Sequence, residues 1–296
     1  MGLNVAAIQN LLELYGLGYF KKANNVLEIG SQELHLNVNV LEELFAGAGL
    51  KSELASKYPY VNNYPEKPRT PAKFFYETLG FKEYKSIDIN GNFGAIPHDL
   101  NKPFKDTSLY NKFDVVTDFG SCEHVFNISE CYRTMHNLTK PGGYIIIHQC
   151  IFKGNGYFNF DEGFFEGLAV ANNYNIIYNS YVVQFENKTS GGEYEFHIPR
   201  NRELFDVLDY SKLQALNIYG ILKKTKDEDF KIPYQGRLMN KMYNITGGFN
   251  RAYLKDSMGS VYVPSSTLKI ENAPLRSIIK ALIKEIKLIL RIRFSK

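Results

Sequence analysis

Acids, glycines and histidines recur where apolar runs of this chain stop, and that placement is where chemistry would sit. "VLEIGSQEL" ends its apolar run at Glu28 and Gly30. "YKSIDIN" ends at Asp88, and "FGAIPHDLN" carries Asp99. "FDVVTDFG" ends at Asp118, Phe119 and Gly120, with Glu123 and His124 just beyond. "YIIIHQC" ends at His148 and Gln149. An acid after a second strand can accept both ribose hydroxyls, and one after a third can accept an adenine amino proton. Acids near the first loop repel a pyrophosphate, and no G-x-x-x-x-G-K-[ST] cradle exists. The rim therefore suits a nucleoside-bearing, cationic ligand. Asp118, Glu123 and His124 are metal-ligand types, but no H-x-x-H or clustered pattern supports a metal, and none is expected.

These residues need elements to hold them. Short apolar runs alternate with amphipathic stretches along most of the chain, which predicts a mainly parallel sheet covered on both faces. Residues 3–16 read as a helix, as do "VNVLEELFAGAG" and "PAKFFYETLGF". "SCEHVFNISECYRTMHNL" reads as one helix with Ser121 as N-cap, placing Glu123 and His124 in its first turn. "DEGFFEGLAVANNY" is a further helix, "NIIYNSYVVQFE" a strand, and residues 187–206 an inserted loop or small helix. "LQALNIYGILKKT" is a final strand. With no clear crossover helix between these last two strands, they predict an antiparallel edge. Ligands of such sheets bind at the carboxyl ends of the strands, where the order reverses.

In that order the motifs resemble those of class I S-adenosylmethionine-dependent methyltransferases. "VLEIGSQEL", "SIDIN", "HDLN", "FDVVTDFGSCEHVFN" and "MHNLTKPGGYIIIHQC" are similar to the family's successive motifs over residues 20–225. The resemblance implies a Rossmann-like, doubly wound, seven-stranded sheet with an antiparallel edge strand. It implies a domain over 1–225 with helical insertions at about 45–70 and 187–206, then an extension over 226–296. It implies cofactor contacts from Glu28, Gly30, Ser31, Gln32, Asp88, Ile89, Asp99, Leu100, Asp118, Phe119 and Gly120. His124 faces the methyl-transfer region in similar proteins, and His148 ends the fifth strand. Both are candidates for the base of an O-methylation, since neutral imidazole accepts a proton near pH 7. His197 would join them if the 187–206 insertion folds over the acceptor.

Two departures stand out. Gln32 occupies the place of a second glycine, so it either meets the methionine end of the cofactor or points away. Glu28 and Asp88 are 60 residues apart where about 20 is usual, so an insertion must intervene. The Tyr-rich stretch at 56–64 and "NGYFNFDEGFF" read as acceptor walls. The latter region resembles methyltransferases of surface-polysaccharide biosynthesis, which implies a sugar hydroxyl, free or nucleotide-linked, as acceptor. A small-molecule or lipid-quinone methyltransferase is the alternative within the class. A non-catalytic cofactor-binding or scaffold protein is the alternative outside it.

Composition bounds the rest. The 296 residues carry net charge +4, of which the stretch from Leu275 to Lys296 supplies +6, leaving −2 elsewhere. The body is no nucleic-acid binder on charge. Three cysteines form no framework, and no charged segment precedes an apolar one at the start, which together favour a cytoplasmic protein. In "LRSIIKALIKEIKLILRIRF", Arg276, Lys280, Lys284, Lys287 and Arg291 share one face of a basic amphipathic helix over 275–294. Its apolar face packs on its own domain or a homodimer mate, on the inner surface of an anionic membrane, or on another partner. For the peripheral membrane reading, removing residues 272–296 is expected to abolish sedimentation with anionic vesicles. Unchanged co-sedimentation refutes it.

Overall fold

The structure is a computed structural model describing residues 2–57, 70–186, 193–199 and 215–234, with residues 238, 241 and 242. The chain begins with β1 (Gly2–Leu3), α1 (Val5–Gly16), β2 (Asn25–Ile29), β3 (Glu33–Leu34) and α2 (Val38–Gly47). Next come α3 (Leu54–Lys57), α4 (Lys73–Thr78), β4 (Glu83–Asp88), β5 (Ile96–Pro97) and β6 (Phe113–Phe119). Then follow α5 (Ile128–Leu138), β7 (Thr139–Phe152), α6 (Glu162–Ala171), β8 (Tyr174–Glu186), β9 (Glu193–Pro199) and β10 (Ala215–Lys224). The expected C-terminal helix at 275–294 and residues 58–69 of the first insertion lie outside the described residues.

Eight strands form one sheet in the order β5-β4-β2-β6-β7-β10-β8-β9. The first five run parallel. β10 inserts antiparallel between β7 and β8, and β9 adds an antiparallel edge. The expected doubly wound sheet is therefore present, with one strand more than expected. Strand order reverses between β2 and β6, which opens the crevice where α/β sheets take ligands.

Alternation along β2 explains the two cores. Val26 faces a cluster that includes Leu11 of α1, Phe45 of α2 and Phe75 of α4. Leu27 and Ile29 face the other side, where Met135 of α5 and Leu168 of α6 pack. All seven residues of β6 are buried, as a central parallel strand covered on both faces requires. α1 is capped by Asn4, whose Oδ1 accepts the Ala7 N–H at 2.9 Å.

Two local readings change. The single helix expected from Ser121 is instead a 3-10 turn at Cys122–His124, followed by α5 from Ile128. Long-range bonds cause the break. The Glu123 carbonyl accepts the Tyr157 N–H at 2.7 Å, so it is not left to propagate a helix. The Asn127 N–H goes to Asn101 Oδ1 at 2.9 Å. Ser121 makes no side-chain cap. In the 187–206 insertion, residues 193–199 form β9 rather than a loop or small helix, and the remainder lies outside the described residues. The two-residue parallel pairing of β1 with β3 carries no periodicity that a sequence could reveal.

At the opposite end of the sheet from the ligand crevice, the buried Lys224 ammonium is satisfied three times. It donates to Asn111 Oδ1 at 2.9 Å, His136 O at 2.8 Å and Thr139 O at 2.9 Å. Lys224→Ala leaves these acceptors unpaired and is expected to lower unfolding free energy by about 2–4 kcal/mol. Urea denaturation reads this, and a change within error refutes the role.

Candidate functional site

The turn after β2 is built around Gly30. Its φ is +83°, and a Cβ there would stand 2.2 Å from Ser121 Oγ. No other residue fits. The Gly30 N–H donates to Ile87 O at 2.8 Å, holding the turn against the end of β4. The Ser31 N–H donates to Asp88 Oδ2 at 2.9 Å, and Ser31 Oγ donates to Asn92 O at 2.8 Å. Gln32, in place of the second glycine, is 2% exposed and turns inward. Its Nε2 donates to Ser121 Oγ at 3.0 Å, and Ser121 Oγ donates to Ile29 O at 2.7 Å. Gln32 is thus a clasp between the turns after β2 and β6.

The acids divide into two groups. Glu28 is fully buried among aromatics, with Oε2 accepting from Tyr84 Oη at 2.6 Å, and burial pushes its carboxyl up to about 7. Asp118 is also fully buried. Its Oδ1 accepts from the Ser121 and Cys122 N–H groups at 2.8 and 3.2 Å, and Gln149 Nε2 donates to Oδ2. Burial raises it to about 6 against these bonds. Both carboxyls organise loops from within. Asp88 and Asp99 stand outside, partly exposed. Asp88 Oδ1 also accepts the Asn90 N–H at 3.1 Å, with Ile89 beside it 72% exposed. The Asn101 side chain and N–H, then Lys102, hold Asp99 below the usual carboxylate range. Leu100 is buried beneath it.

The structure separates the histidines. A cleft of about 370 Å³ opens beside Phe119 and Gly120, lined also by Glu123, His148 and Asn217. The amino end of α1 closes it at Asn4. His148 touches this cleft with part of its ring, while its Nε2 is enclosed without a partner among the described residues. Burial of that nitrogen lowers His148 to about 4. His124 lies at the margin, half-exposed, with Nε2 3.6 Å from Glu123 Oε1. His197 does not fold over an acceptor. It is 1% exposed beneath α1, with Nδ1 2.8 Å from Ser180 Oγ and Nε2 3.0 Å from Asn10 Nδ2. With both nitrogens engaged and burial lowering it to about 3, it is a neutral core residue. No group of three or more His, Cys, Asp or Glu is placed to hold a metal among the described residues.

Sequence reasoning missed Tyr84 and the part played by Ser121. Tyr84 pairs with Val26 in the parallel register, two residues before the partner of Glu28. Strand alternation places Tyr84 and Glu28 on one face, a signal that was legible. The bonds of Ser121 to Gln32 and Ile29 cross about 90 residues of sequence and leave no such signal.

Glu28 makes stability depend on pH. A carboxyl whose folded value is raised adds stability that is complete below its unfolded value, 4.5, and lost as pH climbs through about 7. Glu28→Gln keeps an acceptor for Tyr84 and is expected to remove about 3 kcal/mol of that loss between pH 4 and 8. Asp118 acts in the same direction, so a smaller slope persists. Denaturant unfolding at the two pH values measures it, and an unchanged slope overturns the assignment.

Comparison with known proteins agrees with this arrangement. Residues 80–179 match the family model described as "Methyltransferase domain". The match starts before β4 and ends within β8, so it takes in Asp88, Asp99, Asp118, Glu123 and both candidate histidines. None of the curated proteins compared matches the chain. Among solved structures, 1,6-didemethyltoxoflavin-N1-methyltransferase of Burkholderia thailandensis, with bound S-adenosylhomocysteine, is 11% identical. The alignment covers 74% of this chain and 79% of that one at a TM-score of 0.40. An S-adenosylmethionine-dependent methyltransferase from Archaeoglobus fulgidus is 14% identical over 75% of this chain and 95% of that one, also at 0.40. A possible histamine N-methyltransferase from Thermotoga maritima is 13% identical over 73% and 92%, at 0.35. These likenesses are distant. Residues 80–179 are thus similar to a methyltransferase domain.

Proposed function

We propose that this protein is a methyltransferase that transfers a methyl group from S-adenosylmethionine to a hydroxyl of a small acceptor, with a sugar, free or nucleotide-linked, as the first candidate. The observation that carries the reading is the join between the methyltransferase domain and the Gly30 turn. The turn brings backbone close to the crevice where no side chain fits, and Asp88 anchors it. The donor set suits the cofactor. Asp88 and Ile89 would hold ribose and the edge of adenine, with Asp99 and Leu100 on the far side of the base. Gly30 and Ser31, with Phe119 and Gly120, would border the methionine end, and Gln32 would hold their turns together from within. Glu28 and Asp118 support these loops from below. The cofactor supplies a methyl carbon on a sulfonium and leaves as a neutral thioether.

The cleft beside Gly120 is the acceptor site in this reading. Its polar neutral groups, Asn4, Asn155 and Asn217, match the hydroxyls of a polyol. The protein's main contribution is to hold an oxygen in line with the methyl carbon. His148 is neutral at physiological pH and too weak a base to keep a proton, so it serves as a hydrogen-bond partner for the acceptor. His124, at the margin, has the access that proton removal needs. A cytoplasmic protein held to the inner membrane face by the 275–294 helix would suit a glycan pathway.

Calorimetry with S-adenosylhomocysteine tests the cofactor reading, and no heat at millimolar ligand sinks it. Asp88→Ala is expected to weaken this binding by about 10- to 100-fold through loss of charge-assisted hydrogen bonds. Transfer of tritiated methyl to UDP-glucose, UDP-galactose and GDP-mannose tests the acceptor class. With the labelled sugar, His124→Ala is expected to cut turnover by about 100-fold, and His148→Ala to act mainly through KM. Both should leave S-adenosylhomocysteine affinity intact. Full turnover in both variants refutes the histidine roles.

A further inference from the structure

One carboxylate in the acceptor cleft has no task in the reading so far. Glu123 is 5% exposed yet lines the cleft beside Phe119 and Gly120. Its surroundings hold it in one pose. Oε2 accepts the Cys150 N–H at 3.0 Å. The main chain at Gly156 lies so close that a Cβ there would stand 2.7 Å from Glu123 Cγ. The Glu123 carbonyl is bound by the Tyr157 and Phe158 N–H groups at 2.7 and 3.3 Å. Three segments thus enclose one side chain: the turn after β6, the end of β7, and the loop that follows. Oε1 alone remains for other contacts, and 3.6 Å away is Nε2 of His124, which is half-exposed.

We propose that Glu123 takes the proton from the acceptor hydroxyl and that His124 passes it to solvent. This rests on the methyltransferase reading above and sharpens it. In the step, the acceptor oxygen forms a bond to the methyl carbon as the carbon–sulfur bond breaks, and that electron pair stays on sulfur. The hydroxyl proton moves to Glu123 Oε1. It then transfers to His124 Nε2 and leaves at the exposed side of the ring, which returns Glu123 to its carboxylate. No oxidant, reductant or further reactant is needed.

The environment fits a proton acceptor. Burial pushes the Glu123 carboxyl upward, opposed by the Cys150 N–H and by His124. A carboxyl nearer the working pH transfers protons more effectively than one in its ordinary range. The titratable groups around it are His124 on its own turn, His148 and Cys150 on β7, Lys153 just beyond, and Tyr132 on α5. His124, when protonated, favours the carboxylate, and burial disfavours it.

The test compares Glu123→Gln and Glu123→Asp with the unaltered protein, using the sugar labelled in the tritium screen. Glu123→Gln is expected to lower kcat by about 100- to 1000-fold. KM should stay within about threefold and S-adenosylhomocysteine affinity within about twofold, while the acid limb of the pH–rate profile disappears. Glu123→Asp should recover part of the rate and keep the limb. It decides the matter if the Gln variant does not fold. Infrared titration of the protein without ligands gives a reading independent of turnover. Beside the raised carboxyls of Glu28 and Asp118, one further carboxyl titrating above the ordinary range should be present, and that signal alone should be lost in Glu123→Gln. Full kcat in Glu123→Gln, equal loss of rate and cofactor affinity, or a Glu123 carboxyl titrating in the ordinary range overturns the proposal. Failure of the unaltered protein to bind S-adenosylhomocysteine overturns the methyltransferase reading instead.

Discussion

The hydroxyl of Ser121 is the point on which the crevice depends. It donates to Ile29 O and accepts from Gln32 Nε2, so it ties together the ends of β2 and β6. These are the two neighbouring strands at which the sheet order reverses. Much follows from one buried oxygen. Gly30 can carry no side chain, because the hydroxyl occupies the space a Cβ would need. Gln32 must turn inward to complete the bond. Ser121 is unavailable as a helix cap, and α5 waits until Ile128. The six residues between Ser121 and α5 are then free to bend Glu123 into the cleft and leave His124 at its edge.

Burial and exposure sort the acids of the rim into two kinds of work. Glu28 and Asp118 are withdrawn from water; Tyr84 bonds one oxygen of Glu28, and two backbone N–H groups and Gln149 bond Asp118. Their carboxyls rise because desolvation outweighs those hydrogen bonds. Such groups shape loops. Asp88 and Asp99 keep contact with solvent, and the same short turns that use one of their oxygens hold them at the rim. Acids of identical type at equivalent strand ends therefore differ in accessibility by the depth at which their strands terminate.

The histidines divide by the same rule. His197 spends both nitrogens on Asn10 and Ser180 in a dry interior. His136, at the far end of the sheet, is similarly engaged by Tyr174 Oη and Glu228 O, each at 2.6 Å. His148 has a nitrogen without a partner among the described residues next to a cleft, and His124 is partly exposed with a carboxylate beside it. Residue type could not distinguish these four, and packing did.

Alternating apolar runs, glycines and prolines were enough to locate β2, β4, β6, β7 and β10 and the polar residue each presents at its end. Strand periodicity and strand termination are local properties, written in consecutive residues. The acids at 28, 88, 99 and 118 were visible for that reason. Tertiary structure alone decided that Gln32 is a clasp, that the helix breaks at 122–127, that β10 lies between β7 and β8, and that His197 is core. Each of these turns on a hydrogen bond or a strand pairing between segments tens to nearly two hundred residues apart. A partner at that distance imposes no pattern on the residues around it, so only the folded chain reveals it.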